Sequence, residues 1–122
     1  MLIEGLYTVR SLEQIDQDVK ATVTLNAAHD VFKGHFPDSP VMPGVCMIQM
    51  IKELIEQTLD KKLFLNAVSN VKFMAIINPI VNKTIDLTLN ISEMDGIVKV
   101  KNVTSYEDTV ALKLSATFKI ME

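Results

Sequence analysis

The chain has 122 residues, a net charge of −3 at pH 7, 48% apolar residues and 22% charged residues. We expect a single domain over residues 1–122 that buries a hydrophobic core, and this composition excludes an intrinsically disordered chain. The small acidic excess also excludes a general nucleic-acid-binding protein, because phosphate contacts need clustered Lys and Arg.

Three features of the sequence indicate a compartment. Cys46 is the one cysteine, so no internal disulfide can form, which is typical of a reducing environment. The first residues include Glu4 and no long apolar run, unlike a secretory signal peptide. The longest stretch without Asp, Glu, Lys or Arg covers residues 39–51, whereas a membrane-spanning helix needs roughly 20 apolar residues. We therefore expect a cytoplasmic protein without a membrane segment.

The first third of the chain is predicted to form two strands and an irregular segment. The strands are expected at residues 6–15 and 19–25, joined by the polar turn Asp16-Gln17-Asp18. Apolar and polar residues alternate over residues 19–25, as in a strand with one buried face. Residues 26–42 contain scattered glycine and proline and are predicted to be irregular.

A helix is predicted to begin at Pro43, which suits an entry position, and to end near Leu59. Apolar residues cover well over half of its circumference in the first two turns, so we expect it to be buried nearly all round. Its later part is amphipathic, with charged residues such as Lys52 and Glu56 on one side.

The rest of the chain is predicted to form an antiparallel sheet. Four strands, rich in Val, Ile, Thr and Phe, are expected at residues 64–75, 84–91, 97–105 and 110–120. Met94-Asp95-Gly96 is a hairpin signal, and Glu107-Asp108 is expected to form the next turn. Two strands, one long apolar helix and four strands predict an α+β fold in which a curled sheet wraps around the helix.

The segment before and within the helix start is typical of a catalytic site. Gly34 permits a tight turn before His35, and Pro37, Pro40 and Pro43 stiffen the chain around it. The helix then offers free N–H groups with a partial positive charge at its first turn. An imidazole held near such donors suits proton abstraction next to a carbonyl, with the N–H groups stabilising the developing enolate.

Residues 34–45, GHFPDSPVMPGV, resemble the signature of the 3-hydroxyacyl-acyl-carrier-protein dehydratases of type II fatty acid synthesis. Lys72-Phe73 and Asn78-Pro79 resemble a strand and a proline turn of the same family, whose Gly-Asp pair is replaced by Asn82-Lys83. The resemblance implies the hot-dog fold, in which a curled antiparallel sheet wraps around a central helix.

The resemblance also implies a reaction and an assembly. The substrate would be a 3-hydroxyacyl thioester on the phosphopantetheine arm of acyl carrier protein, and the products a trans-2-enoyl thioester and water. No cofactor of the protein's own and no metal is implied. Members of the family form homodimers with two sites at the interface, or hexamers of three dimers. Acidic carrier protein would meet basic residues such as Lys72, although lysines on solvated faces are common.

The resemblance assigns roles to five residues. His35 matches the catalytic histidine, and the Gly44 N–H matches the donor to the thioester oxygen. Phe36, Pro43 and Val45 lie in the same signature and are expected to contact the substrate.

Gln49 departs from the family pattern. It stands fourteen positions after His35, where the family has an acidic residue. An amide can hold a hydroxyl or a water but cannot exchange a proton, and loss of one acid–base group typically costs about 10²–10⁴ in rate. Glu53, one helical turn later, is a substitute on the same face, although glutamates on helices are commonly exposed.

Three functions therefore stay open. The favoured one is dehydration with His35 as general base and Gln49 holding the leaving hydroxyl. The second is an acyl-thioester-binding protein that is inactive alone or active in a heterodimer whose partner supplies the acid. A thioesterase ranks last, because no acid lies near the helix start to deliver water. A metal site around His29 and a nucleophilic role for Cys46 are both disfavoured, since each lacks the surrounding groups that such chemistry needs.

Overall fold

The computed structural model of the protein describes residues 5–29, 32 and 41–121, so His35 and Phe36 lie outside the described residues. In chain order the elements are β1 (Tyr7–Ile15), β2 (Asp18–Leu25), α1 (Gly44–Leu59), β3 (Lys62–Phe73), β4 (Thr84–Met94), β5 (Ile97–Tyr106) and β6 (Thr109–Met121). This is the predicted order of two strands, one helix and four strands, with boundaries displaced by a few residues.

The six strands form one antiparallel sheet in the order β1-β2-β4-β5-β6-β3. The chain passes from β2 through α1 to β3 at the far edge of the sheet, crosses back to β4 beside β2, and then runs strand by strand through β5 and β6 to reach β3 again. Strands β1 and β3 are therefore the edges, and each has one side without a strand neighbour among the described residues.

The sheet curls around α1 and buries one face against it. Alternate residues of β2, β4, β5 and β6 are buried, and they pack with the helix in one hydrophobic cluster. The helix contributes Cys46, Met47, Met50, Ile51, Leu54 and Ile55 to this cluster. The period-2 strands and the apolar helix thus form the curled-sheet α+β architecture that the sequence predicts.

Positive φ angles mark the tight turns. Asp95 and Gly96 have φ of 55° and 78°, as a two-residue type I′ hairpin requires, so the predicted hairpin is confirmed. Asp16 and Glu107 have φ of 55° and 53° in the turns β1–β2 and β5–β6. Asp60 ends α1 in the left-handed region, and its backbone N–H donates to the carbonyl of Glu56.

The expectation that α1 is buried nearly all round is wrong for its first turns. Val45 is 74% exposed, and Ile48 and Gln49 are half-buried. A single curled sheet covers one side of a helix, so the apolar residues on the opposite side stay open in one copy of the chain. No helix within the described residues combines the length and apolar character needed to cross a membrane.

Candidate functional site

The start of α1 offers backbone donors. Pro43 is the N-cap residue, in an extended conformation, and its ring carries no acceptor that could cap the helix. The N–H groups of Cys46 and Met47 bond to the Pro43 carbonyl at 3.1 and 3.2 Å. The N–H groups of Gly44 and Val45 precede them and have no acceptor within the helix. These two donors, in the positive field of the helix end, suit a carbonyl oxygen that gains charge.

Gly44 allows a close approach at this point. A Cβ at Gly44 would lie 3.2 Å from Cζ of Phe73, the last residue of β3. A backbone hydrogen bond joins the two segments beside this contact, since the Met42 N–H donates to the Ile77 carbonyl at 2.9 Å. The helix start is thus held against the segment that follows β3.

An apolar groove of about 370 Å³ lies beside the helix start. Its residues come from the chain before α1 and the chain after β3, and they include the Phe73 ring that lies over Gly44. The lining consists of Val41, Met42, Phe73, Met74, Ala75, Ile76 and Ile77. A short hydrocarbon chain would fit this groove by size and polarity.

Gln49 lies on α1 within a hydrogen-bonded group. Its Nε2 donates to Oε2 of Glu53 at 2.9 Å, and the Tyr7 hydroxyl donates to Oε1 of Glu53 at 2.6 Å. Glu53 is only 9% exposed, so the expectation that it occupies an exposed helix face is wrong. The reason includes Tyr7 of β1, whose hydroxyl reaches this carboxylate.

Burial and this carboxylate perturb Tyr7. Burial first, then the hydrogen bond and the negative charge of Glu53, then the charge of Glu56, raise the pKa of Tyr7 well above its ordinary value of 10.0. The phenol is therefore a persistent donor to Glu53. Sequence reasoning missed Tyr7, because no spacing rule connects it to a residue 46 positions away.

The structure brings together only part of the predicted site. Pro43, Gly44 and Val45 form the helix start, and Gln49 follows on the same helix, where it lines a second groove with Lys52 and the end of α1. Val45 exposes its side chain rather than contacting the apolar groove. His35 and Phe36 lie outside the described residues, so their roles remain predictions.

The surroundings of Cys46 bear on its disfavoured nucleophilic role, whereas the expected absence of a metal site around His29 stays a prediction, because Asp30 and His35 lie outside the described residues. Burial raises the pKa of the Cys46 thiol, which disfavours the reactive thiolate. Among residues 5–29, 32 and 41–121, no group of three or more His, Cys, Asp or Glu is placed to hold a metal ion.

Comparison with protein families identifies related sequences over most of the chain. The family model described as ApeI dehydratase matches residues 11–114. The 3-hydroxyacyl-[acyl-carrier-protein] dehydratase FabZ of Lactobacillus helveticus is 27% identical and aligns with 96% of this chain and 86% of its own. The protein of the same name from Clostridium acetobutylicum is 29% identical and aligns with 93% of this chain and 86% of its own.

Solved structures show the same fold. A chain of the dehydratase heterocomplex ApeI:P from Xenorhabdus doucetiae superposes with a TM-score of 0.74 at 23% identity, covering 92% of this chain and 96% of that one. A hypothetical thioesterase from Streptococcus pneumoniae gives a TM-score of 0.66 at 8% identity, covering 94% of this chain and 85% of that one. Because these identities are low, the likeness establishes the hot-dog fold and no particular activity.

Proposed function

The chain belongs to the ApeI-like dehydratase family, a group of hydro-lyases, and on this basis we propose that it dehydrates 3-hydroxyacyl thioesters to trans-2-enoyl thioesters. The family match over residues 11–114 is the observation that carries the proposal, since it spans the signature segment and the whole of α1. The helix start and the apolar groove support it, because together they suit a thioester carbonyl with a hydrocarbon chain attached.

In the proposed reaction His35 removes a proton from the carbon next to the thioester carbonyl. The Gly44 N–H donates to the carbonyl oxygen, which carries the developing negative charge. The electron pair of the broken C–H bond forms the double bond as the bond between carbon 3 and its hydroxyl breaks. The hydroxyl leaves as water once it receives a proton. Gln49 holds this hydroxyl but cannot supply the proton, which comes from water or from a carboxylate.

The proposed substrate arrives on the phosphopantetheine arm of acyl carrier protein. The names of the related enzymes from L. helveticus and C. acetobutylicum state this carrier for those proteins. The groove between the helix start and the end of β3 accepts the acyl chain, and the thioester then lies at the Gly44 N–H.

We propose that two copies of the chain assemble through β3, either as a homodimer or as three such dimers. Val68, Val71 and Phe73 pair with the buried residues Ala116, Leu114 and Leu112 of β6. Directly paired residues share a face of the sheet, so these β3 side chains lie on the helix side. They nevertheless remain 37–53% exposed, so one copy of the chain covers this row only in part. A second copy would cover this row and the unpaired edge.

The dehydratase activity is tested with a short acyl thioester. Purified protein converts 3-hydroxybutyryl thioester to the enoyl product, followed by enoyl absorbance. We expect His35→Ala to lower the rate by about 10²–10⁴, as for loss of a general base. His29→Ala is the matched control, because His29 is the chain's other histidine, and it should keep the wild-type rate. Equal rates for wild type and His35→Ala would refute the proposal.

A second candidate function is dehydration within a heterodimer whose partner supplies the acid. Gln49 favours it, because an amide cannot protonate the leaving hydroxyl, and the chain also resembles a subunit of a dehydratase heterocomplex. It predicts that the wild type alone has no turnover and that the exchange variant Q49E/E53Q, which moves the carboxylate to position 49, turns over by itself. Turnover by the wild type alone, lost in His35→Ala, excludes it.

A further inference from the structure

Glu53 is a buried carboxylate with two donors. The Tyr7 hydroxyl bonds to one oxygen at 2.6 Å and the Gln49 amide to the other at 2.9 Å. A carboxylate at 9% exposure is destabilised unless its oxygens are bonded, and both are bonded here. Each oxygen accepts one of these hydrogen bonds, so Glu53 acts as an acceptor toward Gln49.

This acceptor determines which way the Gln49 amide points. Oε2 of Glu53 accepts from Nε2 of Gln49 at 2.9 Å, so the NH₂ end of the Gln49 amide faces Glu53. The carbonyl oxygen, Oε1, then points away from Glu53. Gln49 therefore offers an acceptor, and not a donor, to a molecule that binds beside the helix.

We propose that Glu53 and Tyr7 are positioning residues that hold Gln49 Oε1 toward the 3-hydroxyl of the acyl thioester, which makes the site selective for 3-hydroxyacyl over 3-ketoacyl chains. This inference rests on the proposed dehydratase function. A hydroxyl donates its hydrogen to Oε1, whereas a keto oxygen has none to donate and leaves the acceptor unpaired. The bonded hydroxyl keeps its lone pairs available for the proton that converts it to water.

The geometry predicts what happens when Glu53 loses its charge. In Glu53→Gln the side chain at position 53 can donate as well as accept, so the Gln49 amide is free to exchange the positions of its oxygen and its nitrogen. Either end of Gln49 then faces the substrate, and the donor end bonds a keto oxygen as well as the acceptor end bonds a hydroxyl. Selectivity falls, while binding of the acyl chain and thioester is retained.

The test compares the affinities of 3-hydroxybutyryl and acetoacetyl pantetheine thioesters, measured by calorimetry in the His35→Ala background so that neither is consumed. We expect a preference of about tenfold for the hydroxy ligand, the worth of one well-made hydrogen bond. Glu53→Gln should reduce this preference to near unity, and Tyr7→Phe should reduce it in part. Glu56→Gln removes the same charge from the same helix. It is the control and should keep the preference for the hydroxy ligand.

The exchange variant Q49E/E53Q provides a rescue. It keeps an amide and a carboxylate in contact and leaves only acceptor atoms at position 49, so the preference for the hydroxy ligand should return. Equal affinities in the parent protein, or an unchanged preference in Glu53→Gln, would overturn the inference alone. Failure of the parent protein to bind either thioester would overturn the proposed function and this inference with it.

Discussion

Gly44 has two physical reasons to lack a side chain. Its N–H is one of the first donors of α1, and the Phe73 ring lies where a side chain would begin, 3.2 Å from a Cβ. The first reason is functional and the second concerns packing. They make different predictions, because Phe73 is 53% exposed at the end of an edge strand and its ring can shift outward.

Gly44→Ala is expected to separate the two roles. The ring has to move by only a few tenths of an ångström, and alanine favours a helix by up to about 1 kcal/mol over glycine. The free energy of unfolding should therefore stay within about 1 kcal/mol of the wild-type value. The methyl group would obstruct a ligand at the N–H, so dehydratase activity should fall at least tenfold. Denaturant unfolding and the thioester assay measure the two effects.

Gly96→Ala is the matched control for Gly44→Ala. Gly96 has φ of +78° in the β4–β5 hairpin and no atom within 4 Å of an added Cβ. Alanine is strained in this conformation, so stability should fall by about 1 kcal/mol while activity is kept. If Gly44→Ala instead loses stability and keeps its specific activity, Gly44 serves packing alone.

Residue roles within the sequence signature follow from a local pattern and stay predictions, whereas contacts between distant elements could not be predicted at all. The spacing of His35, Gly44 and Gln49 is local, so a resemblance of twelve residues and one offset was enough to assign them. The burial of Glu53 depends on Tyr7, which reaches it from another element. Helical periodicity placed Glu53 on the same face as Gln49 but could not tell that Tyr7 of β1 reaches that face.

At the scale of elements, the Tyr7–Glu53 bond joins an edge strand to the helix. Within the described part of the chain, strand β1 has a strand neighbour on one side only, and most of its residues are exposed. Tyr7 is partly buried against the core, and its hydroxyl links β1 to the middle of α1. This bond should therefore contribute to holding β1 in place as well as to orienting Gln49.

The stability contribution of Tyr7 should depend on pH. Its folded-state pKa is raised above the ordinary value of 10.0, so the contribution is fully present below that value and decreases as the pH rises through and above it. Tyr7→Phe should lower the free energy of unfolding by about 1–3 kcal/mol at neutral pH. The difference between wild type and variant should shrink above about pH 10.

Urea unfolding from neutral pH to about pH 11 measures this difference, and Glu53→Gln supplies the partner for a double-mutant cycle. The effect of Tyr7→Phe should be smaller in the Glu53→Gln background, since the charged acceptor is then absent. A difference that is constant across the pH range would show that the Tyr7 hydroxyl contributes nothing through this bond.

The elements themselves follow from periodicity with one exception. Strand β2 buries alternate residues, as the alternating sequence of residues 19–25 predicted, and β4 and β5 show the same pattern over most of their length. Strand β3 has only Leu63 buried, although its sequence is equally apolar. Two register shifts against β6 and a position at the edge of the sheet distinguish β3 from the other strands, and neither is encoded in a local pattern.

At the scale of the whole molecule, the proposed assembly rests on β3 and the exposed start of α1. Strand neighbours along the sheet are not all consecutive, so the sequence could not show that β3 is an edge. The structure shows a twelve-residue edge strand whose helix-side row is apolar and open. Long apolar edges of this kind tend to pair with another chain, and pairing β3 with its copy would place two sites at one interface.

A lysine in this row should therefore disrupt the proposed dimer. Val68 is 37% exposed on the helix side of β3, and Val103 is 36% exposed on the outer face of the interior strand β5. Val68→Lys would bury an unpaired charge between the copies, so we expect the dissociation constant to rise at least about a hundredfold, equivalent to about 3 kcal/mol. Val103→Lys adds the same charge with similar exposure and should leave the dimer intact.

Sedimentation of both variants over a range of concentrations distinguishes the outcomes, and a monomeric wild type would refute the interface. Because the fold needs no partner at Val68, the monomeric variant should keep its sheet content by circular dichroism while losing dehydratase activity.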